Sequence, residues 1–253
     1  MLCASRINRE RFSDLPADCR PDSTAEGYAV QEALHELLPA RGLGPLVGWK
    51  IGCTTKVMQA YIGIDEPCAG AVFASQVQGQ AARCRASDFV RAGVECEIAV
   101  QLGSDLGPAG APYTQADVAR AVSAVMTSIE IVDDRYIDFR GLSAPTLISD
   151  DFFNAGAVLG EACTDWQHID LAALRGRMIV NGREIGAGTG ADILDHPLNA
   201  LVWLANLRTS FGLLLEAGAF VSLGSIVETH WVAPGDDIEA AIDGLGAARV
   251  TFS

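Results

Sequence analysis

Two glutamates separated by a single residue give the strongest chemical signal in the sequence. Glu95 and Glu97 lie in residues 94–102, where apolar side chains alternate with others as they do along a β-strand. Side chains two positions apart on a strand share one face, about 6–7 Å apart. Two carboxylates at this distance repel each other unless a cation lies between them, and their face carries no lysine or arginine. The pair indicates a metal site, and a solvated strand face is the alternative.

A third glutamate, Glu130, lies within the apolar residues 128–132, which predict a buried strand. An isolated buried carboxylate is very costly, so Glu130 must meet either a metal ion or a base such as Arg135. Three carboxylates form an all-oxygen donor set, which favours Mg²⁺ or Mn²⁺ over zinc. Such a site leaves positions for two oxygens of a small 2-oxo acid.

One lysine is surrounded by glycines and apolar residues, in Gly48-Trp49-Lys50-Ile51-Gly52. Lys50 is a candidate to pair with a substrate carboxylate, or to transfer protons if its pKa is lowered. A surface lysine in a loop is the alternative. The four histidines show no ligand spacing, and neither a G-x-S-x-G nucleophile motif nor a P-loop is present.

The composition excludes several classes of function. Among 253 residues, 18 are basic and 32 acidic, giving a net charge of −14 without a basic cluster, which makes nucleic acid and anionic membrane poor partners. Seven cysteines form no C-x-x-C pair, which argues against a disulfide framework and a thiolate zinc site and favours a reducing cytoplasm. No signal peptide and no membrane span are visible.

The elements that must position these residues suggest an α+β fold. Helices are predicted at residues 23–38, where Ser23 and Glu26 form a capping box, and at 56–61, 114–125 and 197–207. Strands are predicted at residues 94–102, 129–132, 220–223, 226–232, 238–242 and 248–252, and residues 42–52 are a strand or a loop. We expect a helical N-terminal region at 1–75 and a β-rich catalytic core at 76–253.

Several motifs in fixed order resemble those of a known family. The motifs are Gly48-Trp49-Lys50-Ile51-Gly52-Cys53-Thr54, Gly63-Ile64-Asp65-Glu66-Pro67, Val94-Glu95-Cys96-Glu97, Ile129-Glu130-Ile131-Val132-Asp133-Asp134-Arg135, Asn181-Gly182, Leu223-Gly224-Ser225 and Pro234-Gly235-Asp236. Together they look like the 2-keto-4-pentenoate hydratases. That group includes 2-oxohept-3-enedioate hydratases and 4-oxalocrotonate decarboxylases and belongs to the fumarylacetoacetate hydrolase superfamily.

The resemblance implies a mixed β-roll core, homo-oligomeric assembly and a cytoplasmic role in the catabolism of aromatic compounds. It also leaves open an association with a downstream or sister enzyme of the pathway. It implies that Glu95, Glu97 and Glu130 hold Mg²⁺ or Mn²⁺. The implied substrate contacts are Lys50, Arg135 and Ser225. The implied reaction is addition of water to a 2-hydroxy-2,4-dienoate. Decarboxylation, hydrolysis of an acylpyruvate and a catalytically silent partner subunit are the alternatives.

The sequence departs from the family pattern at one position. Many hydratases of the group carry D-x-P-D-x-G, whereas this chain has Asp65-Glu66-Pro67-Cys68-Ala69-Gly70, with Cys68 in place of the aspartate. If that aspartate normally moves a proton, this chain must use another group, such as Lys50 or a metal-bound water, or catalyse a different reaction. Asp151 is the second catalytic candidate. For Asp151, a turn or a helix cap is the alternative role.

Overall fold

The computed structural model describes residues 1–253 and contains six α-helices and thirteen β-strands. The helices are α1 (Leu2–Asn8), α2 (Thr24–Leu37), α3 (Lys56–Ile62), α4 (Gln115–Ala121), α5 (Ala144–Ser149) and α6 (Pro197–Ser210). The strands are β1 (Leu46–Gly52), β2 (Cys68–Phe73), β3 (Val77–Gln78), β4 (Ala81–Cys84), β5 (Ala92–Leu102), β6 (Val122–Asp133), β7 (Asn154–Leu159), β8 (Arg175–Val180), β9 (Arg183–Thr189), β10 (Phe220–Ser225), β11 (His230–Trp231), β12 (Asp237–Ile242) and β13 (Gly246–Phe252).

The strands form two mixed sheets packed on a shared core. The larger sheet has the order β2-β1-β10-β5-β6-β7-β3, with β11 also paired to β5. The smaller sheet has the order β4-β13-β12-β8-β9. Strands β12 and β13 pack on β5 and β6, and one hydrophobic cluster extends across both sheets. The two central strands of the larger sheet, β5 and β6, are therefore buried on both faces.

Local signals fix the helices that flank the site. Ser23 accepts a hydrogen bond from the Glu26 amide at the start of α2, but Glu26 bonds the Asp22 amide, so only half of the predicted capping box forms. Thr55 caps α3 in the same way, and Gly63 ends α3 in the left-handed conformation. The helix predicted at 56–61 is confirmed.

The helix predicted at residues 114–125 is too long. It ends at Ala121, and the chain enters β6 at Val122, seven residues before the predicted strand. The apolar positions after 121 fit a helical face, but β6 pairs with β5 from Val122 to Asp133. Pairing along a full neighbouring strand supplies hydrogen-bond partners for the backbone in this buried region, which outweighs the local helical pattern.

The strand predicted at residues 226–232 is mostly irregular. Only His230 and Trp231 pair with β5, and the register between β5 and β10 shifts after Ser222. Gly224 adopts a φ of +122° here, which takes the chain out of the ladder. The freed residues 225–229 line the cavity described below.

A hairpin formed by β8 and β9 was not among the predicted strands. Asn181 and Gly182 connect the two strands, both with positive φ, the conformation of a type I′ turn. The first 75 residues contain three helices, but they also supply β1 and β2 to the larger sheet. The α+β class with a helical N-terminal region is confirmed. None of the helices combines the length and apolar character needed to cross a membrane.

Candidate metal centre and its cavity

The three predicted glutamates converge at the centre of the larger sheet. Glu95 on β5 lies directly opposite Glu130 on β6, and Glu97 lies two residues further along β5. One carboxylate oxygen from each side chain lies within 4.8 Å of the others. Glu97 is fully buried and Glu130 is 1% exposed, so this is not a solvated strand face. Strand pairing brings together ligands that are 35 positions apart in sequence.

The cluster fits a divalent cation by hydrogen bonding and by charge. Both carboxylate oxygens of Glu97 are buried and accept no hydrogen bond from a side chain, an arrangement that is rare and costly unless a ligand satisfies them. Lys50 is the one basic side chain in contact with the three carboxylates, through Glu130. Three carboxylates and one ammonium leave a net charge near −2, which a divalent ion balances. Oxygen donors alone suit Mg²⁺ or Mn²⁺.

Neighbouring side chains orient two of the three carboxylates. The Asn154 amide donates to Glu130 Oε1 at 3.0 Å, and the Thr229 hydroxyl donates to Glu95. Asn154 begins β7, which pairs with β6, and Thr229 lies in the irregular segment before β11. Hydrogen bonds of this kind hold metal ligands in one orientation. Neither residue was predicted from the sequence, because each reaches the site from an element distant in sequence.

Lys50 is buried on β1 and is not a surface lysine. Its Nζ lies 3.3 Å from Glu130 Oε1 and donates to the Phe152 carbonyl at 2.5 Å. Glu130 thus pairs with Lys50 rather than with Arg135, the base considered from the sequence. Burial by itself would lower the pKa of Lys50, but the nearby carboxylates, Glu130 first, raise it above its ordinary value. Lys50 is therefore a fixed positive charge beside the metal centre.

Burial controls the protonation of the metal-free carboxylates. Loss of hydration raises the pKa of Glu97 well above its ordinary value, and repulsion from Glu130 and Glu95 adds to this effect. Burial likewise raises the pKa of Glu130 to about 7, with Lys50 opposing the rise. Metal binding must therefore displace protons from this site.

A cavity of about 660 Å³ opens onto the metal centre. Glu95 and Lys50 line its inner end, and α3 and residues 225–229 form much of its wall. Ser225 also lines the cavity, as predicted for a substrate contact, and its hydroxyl donates to the Val227 carbonyl at 2.5 Å. A substrate bound here lies between a charged inner end and a largely apolar wall.

Cys68, the departure from the family pattern, lies on β2 and does not line the cavity. The neighbouring thiol of Cys53 does, and Cys53 has a φ of +56°. A hydrogen bond from Cys68 lowers the pKa of Cys53, with burial opposing and Lys50 assisting. The sequence singled out Cys68, but the thiol that reaches the cavity is Cys53.

The structure does not bring Arg135 or Asp151 to the cavity lining. The Arg135 guanidinium bonds the Asp150 carboxylate at 2.8 Å and the Asn154 carbonyl at 2.9 Å. Asp151 is fully buried and lies 2.8 Å from Arg6 and 2.6 Å from His35. Both side chains belong to an ionic cluster behind the site, whose partners are up to 145 positions apart in sequence.

This cluster supports a strained segment of the cavity wall. Asp151, Phe152 and Phe153 all have positive φ, at 55°, 46° and 69°, a conformation that costs non-glycine residues about 1–3 kcal/mol each. Asp151 also accepts a hydrogen bond from the Ala71 amide at 2.9 Å. The segment presents the Phe152 carbonyl to Lys50 and two phenyl rings to the cavity. The ionic contacts of Asp151 thus hold the backbone that positions Lys50.

Comparison with known proteins agrees with this arrangement. The family described as fumarylacetoacetate (FAA) hydrolase C-terminal matches residues 67–253. A 2-keto-4-pentenoate hydratase of Burkholderia vietnamiensis is 33% identical over 252 residues, covering 100% of this chain and 95% of the relative. A 2-hydroxyhexa-2,4-dienoate hydratase of Comamonas testosteroni is 32% identical over 239 residues, covering 93% of this chain and 89% of the relative.

A solved structure has nearly the same fold. The 4-oxalocrotonate decarboxylase of Pseudomonas putida G7, complexed with magnesium and adipate, superimposes with a TM-score of 0.92 at 27% identity, covering 100% of this chain and 94% of the decarboxylase. This likeness confirms the β-roll core expected from the sequence. By its fold, its matched domain and its full-length relatives, the chain belongs to the fumarylacetoacetate hydrolase family.

Proposed function

We propose that the protein is a divalent-metal-dependent hydratase that adds water to a 2-hydroxy-2,4-dienoate. The product is a 4-hydroxy-2-oxo acid. The observation that carries the proposal is the buried cluster of Glu95, Glu97 and Glu130, with Lys50 beside it and an open cavity in front. The full-length hydratase relatives support the choice of reaction.

The three glutamates would hold Mg²⁺ or Mn²⁺, which when bound supplies a Lewis acid for the 2-oxo oxygen and the carboxylate of the substrate. Lys50 supplies a second positive charge and a hydrogen-bond donor to the same end of the substrate. The Phe152 carbonyl and Glu130 hold the Lys50 ammonium in place. The substrate carboxylate is then fixed at the inner end of the cavity.

Hydration requires two proton movements and one water molecule. Loss of the 2-hydroxyl proton together with addition of a proton at C5 converts the dienoate to its tautomer, a 2-oxo-3-enoate, whose C4 is electrophilic. Water adds its oxygen to C4, and a proton reaches C3, so that the elements of one water molecule are gained. The Cys53 thiol and the Ser225 hydroxyl are two of the uncharged polar side chains that line the cavity, and each lies in one of the sequence motifs quoted above. We assign them to substrate and water contacts.

A direct assay tests this proposal. Purified protein with Mn²⁺ is mixed with 2-hydroxypenta-2,4-dienoate, and the loss of dienoate absorbance is followed while mass spectrometry identifies the product. We expect a product heavier by one water, and no turnover after chelation of the metal. Metal binding without any conversion of the dienoate would contradict the hydratase proposal and favour a silent partner subunit.

A second candidate function is decarboxylation of a 4-oxalocrotonate-type acid. The specific observation in its favour is the superposition on the Pseudomonas putida decarboxylase. The same assay with 4-oxalocrotonate, with released CO₂ measured, distinguishes the two reactions. Size-exclusion chromatography with light scattering tests the expected homo-oligomer. Co-elution with a purified decarboxylase or hydratase of the family tests the expected association with a sister enzyme.

A further inference from the structure

The cavity is larger than a five-carbon acid requires. Its volume of about 660 Å³ lies within the range of roughly 300–1,000 Å³ found for pockets that enclose drug-sized ligands. The 2-oxo end of a substrate is confined to the inner end, beside Glu95 and Lys50. Most of the volume is therefore available to the other end of the substrate, its tail.

The wall around the tail is apolar. The side chains that form it include Val57, Met58, Tyr61, Phe139, Phe153 and Trp231. On α3, Val57 is 78% exposed, Tyr61 58% and Met58 43%, although apolar side chains of this size gain free energy by burial. An apolar tail in the cavity would cover this surface.

The charges of the cavity disfavour a second carboxylate. Lys50 is the one basic residue among the 21 that line it, and it lies at the metal end. The outer lining carries Asp192 and Glu228, both exposed, and Glu228 forms no ion pair. A distal carboxylate would be repelled by these two acids, and the outer lining itself contains no cation to pair with it.

Three basic side chains adjoin the lining: Arg91 and Arg140 are paired with carboxylates, and Lys56, between the lining residues Thr55 and Val57, donates to Gln59 Oε1 on its own helix at 3.0 Å. Arg91 stacks on the Trp231 ring with 4.0 Å to its centre and bonds Asp134 at 3.3 Å. Arg140 follows Phe139 in sequence and bonds Asp138 at 2.8 Å. The carboxylates of Asp134 and Asp138 thus offset the two arginine charges that could otherwise attract the distal carboxylate of a diacid at the cavity opening.

We propose that the site selects 2-oxo monocarboxylic acids with an uncharged, apolar tail longer than that of a five-carbon acid, and that it discriminates against dicarboxylic acids. The inference rests on the proposed function for the position of the 2-oxo end. It deepens that proposal by assigning the tail. It also distinguishes this chain from the decarboxylase structure above, which is complexed with the dicarboxylate adipate.

Calorimetric binding to the Mn²⁺-loaded protein tests the inference without requiring turnover. The probes are pyruvate, 2-oxobutanoate, 2-oxopentanoate and 2-oxohexanoate, with 2-oxoadipate as the diacid of matched length. We expect affinity to rise by up to about fourfold for each added methylene, the ordinary gain for burying one. We expect 2-oxohexanoate to bind at least about tenfold more tightly than 2-oxoadipate.

Charge variants at the mouth sharpen the test. Val57→Arg places a cation at an exposed position, and we expect it to tighten 2-oxoadipate about two- to fivefold relative to 2-oxohexanoate. Val57→Gln is the neutral control of similar size. Glu228→Gln should also favour the diacid, whereas Glu161→Gln, at an exposed position outside the cavity, should change neither affinity.

The outcomes separate the inference from the proposed function. Equal or tighter binding of 2-oxoadipate, no gain with chain length, or no binding of any 2-oxo acid would overturn the inference. Turnover of the dienoate without a preference for apolar tails would support the hydratase proposal and refute the inference about the tail. A clear preference without dienoate turnover would support the inference and refute the hydratase.

Discussion

Glu97 is the side chain on which the metal centre depends most directly, because no neighbouring side chain satisfies its two buried oxygens. Glu95 and Glu130 each accept a hydrogen bond from a neighbour, which holds them even without metal. Glu97 gains partners through the ion alone. Burial of Glu97 therefore destabilises the metal-free protein, and metal binding offsets this effect. Replacing Glu97 should lower the metal affinity but raise the stability of the metal-free protein.

We expect Glu97→Gln to weaken Mn²⁺ binding at least about 100-fold, because one charged ligand is lost from a buried site. The same change should stabilise the metal-free protein slightly, since it removes the cost of burying an ionisable carboxyl group beside Glu130 and Glu95. Calorimetry and urea unfolding measure the two effects. Glu161→Gln is the exposed control, and retained metal affinity in Glu97→Gln would contradict the assignment.

We also expect Mn²⁺ affinity to rise with pH between about 6 and 8. In the metal-free protein burial raises the pKa of Glu130 to about 7 and that of Glu97 well above 4.5, so both hold protons at low pH. Metal must displace these protons, and binding should release them to the buffer. Calorimetry in buffers of different ionisation enthalpy counts them. A pH-independent affinity would contradict these protonation states.

At the scale of the element, the segment Asp151–Phe153 links the ionic cluster to the cavity. Three consecutive left-handed residues are retained because Asp151 is fixed by Arg6, by His35 and by the Ala71 amide. These contacts, after the opposing effect of burial, hold the pKa of Asp151 well below its ordinary value. Asp151 acts on the site through backbone position, which makes it a positioning residue rather than a group that touches the substrate.

We expect Asp151→Asn to destabilise the protein by about 3 kcal/mol, because it removes a buried charge that pairs with Arg6 and His35, although Arg6 keeps Asp150 as a second partner. If the protein remains folded, metal affinity should be retained while turnover falls. The Phe152 carbonyl, which accepts a hydrogen bond from Lys50, would no longer be held in position. Urea unfolding, calorimetry and steady-state kinetics give the three values. Asp18→Asn, at an exposed position without contacts, is the control. An unchanged unfolding free energy would refute the structural role.

The same element marks the limit of prediction from the sequence. Alternation along β5 identified Glu95 and Glu97, and the apolar neighbours of Glu130 identified the third carboxylate. Those signals are local. The roles of Arg135 and Asp151 depend on partners such as Arg6 and Asp150, and the orienting bonds of Asn154 and Thr229 depend on strand pairing. No local pattern records such contacts between distant segments.

At the scale of the whole molecule, the metal centre joins strands from separate parts of the chain. Lys50 comes from β1, within the first 75 residues, and the glutamates come from β5 and β6. Strand β10 connects the two parts, because it pairs in parallel with β1 and antiparallel with β5. The predicted boundary at residue 75 therefore lies between two regions that share one sheet and one site.

We expect Mn²⁺ at about 100 times its Kd to stabilise the fold by about 2.7 kcal/mol, or about 5–10 °C in Tm for a chain of this size. The gain should grow with pH. Burial raises the folded-state pKa of Glu130 to about 7, so its contribution to metal-free stability is full below the ordinary carboxyl pKa and is lost as the pH rises to about 7. Differential scanning fluorimetry from pH 6 to 8, with and without chelator, measures both effects. A Tm gain from Mn²⁺ that stays constant with pH would contradict this expectation.

The contact between Arg6 and Asp151 has a practical consequence for handling the protein. Helix α1 contributes no side chain to the cavity, yet its guanidinium secures the strained segment beside Lys50. A protease that clips off the first ten residues would leave every ligand and lining residue present and still loosen the site. A purification tag belongs at the exposed Ser253 rather than beside α1, and intact mass should be verified before any loss of activity is attributed to the site itself.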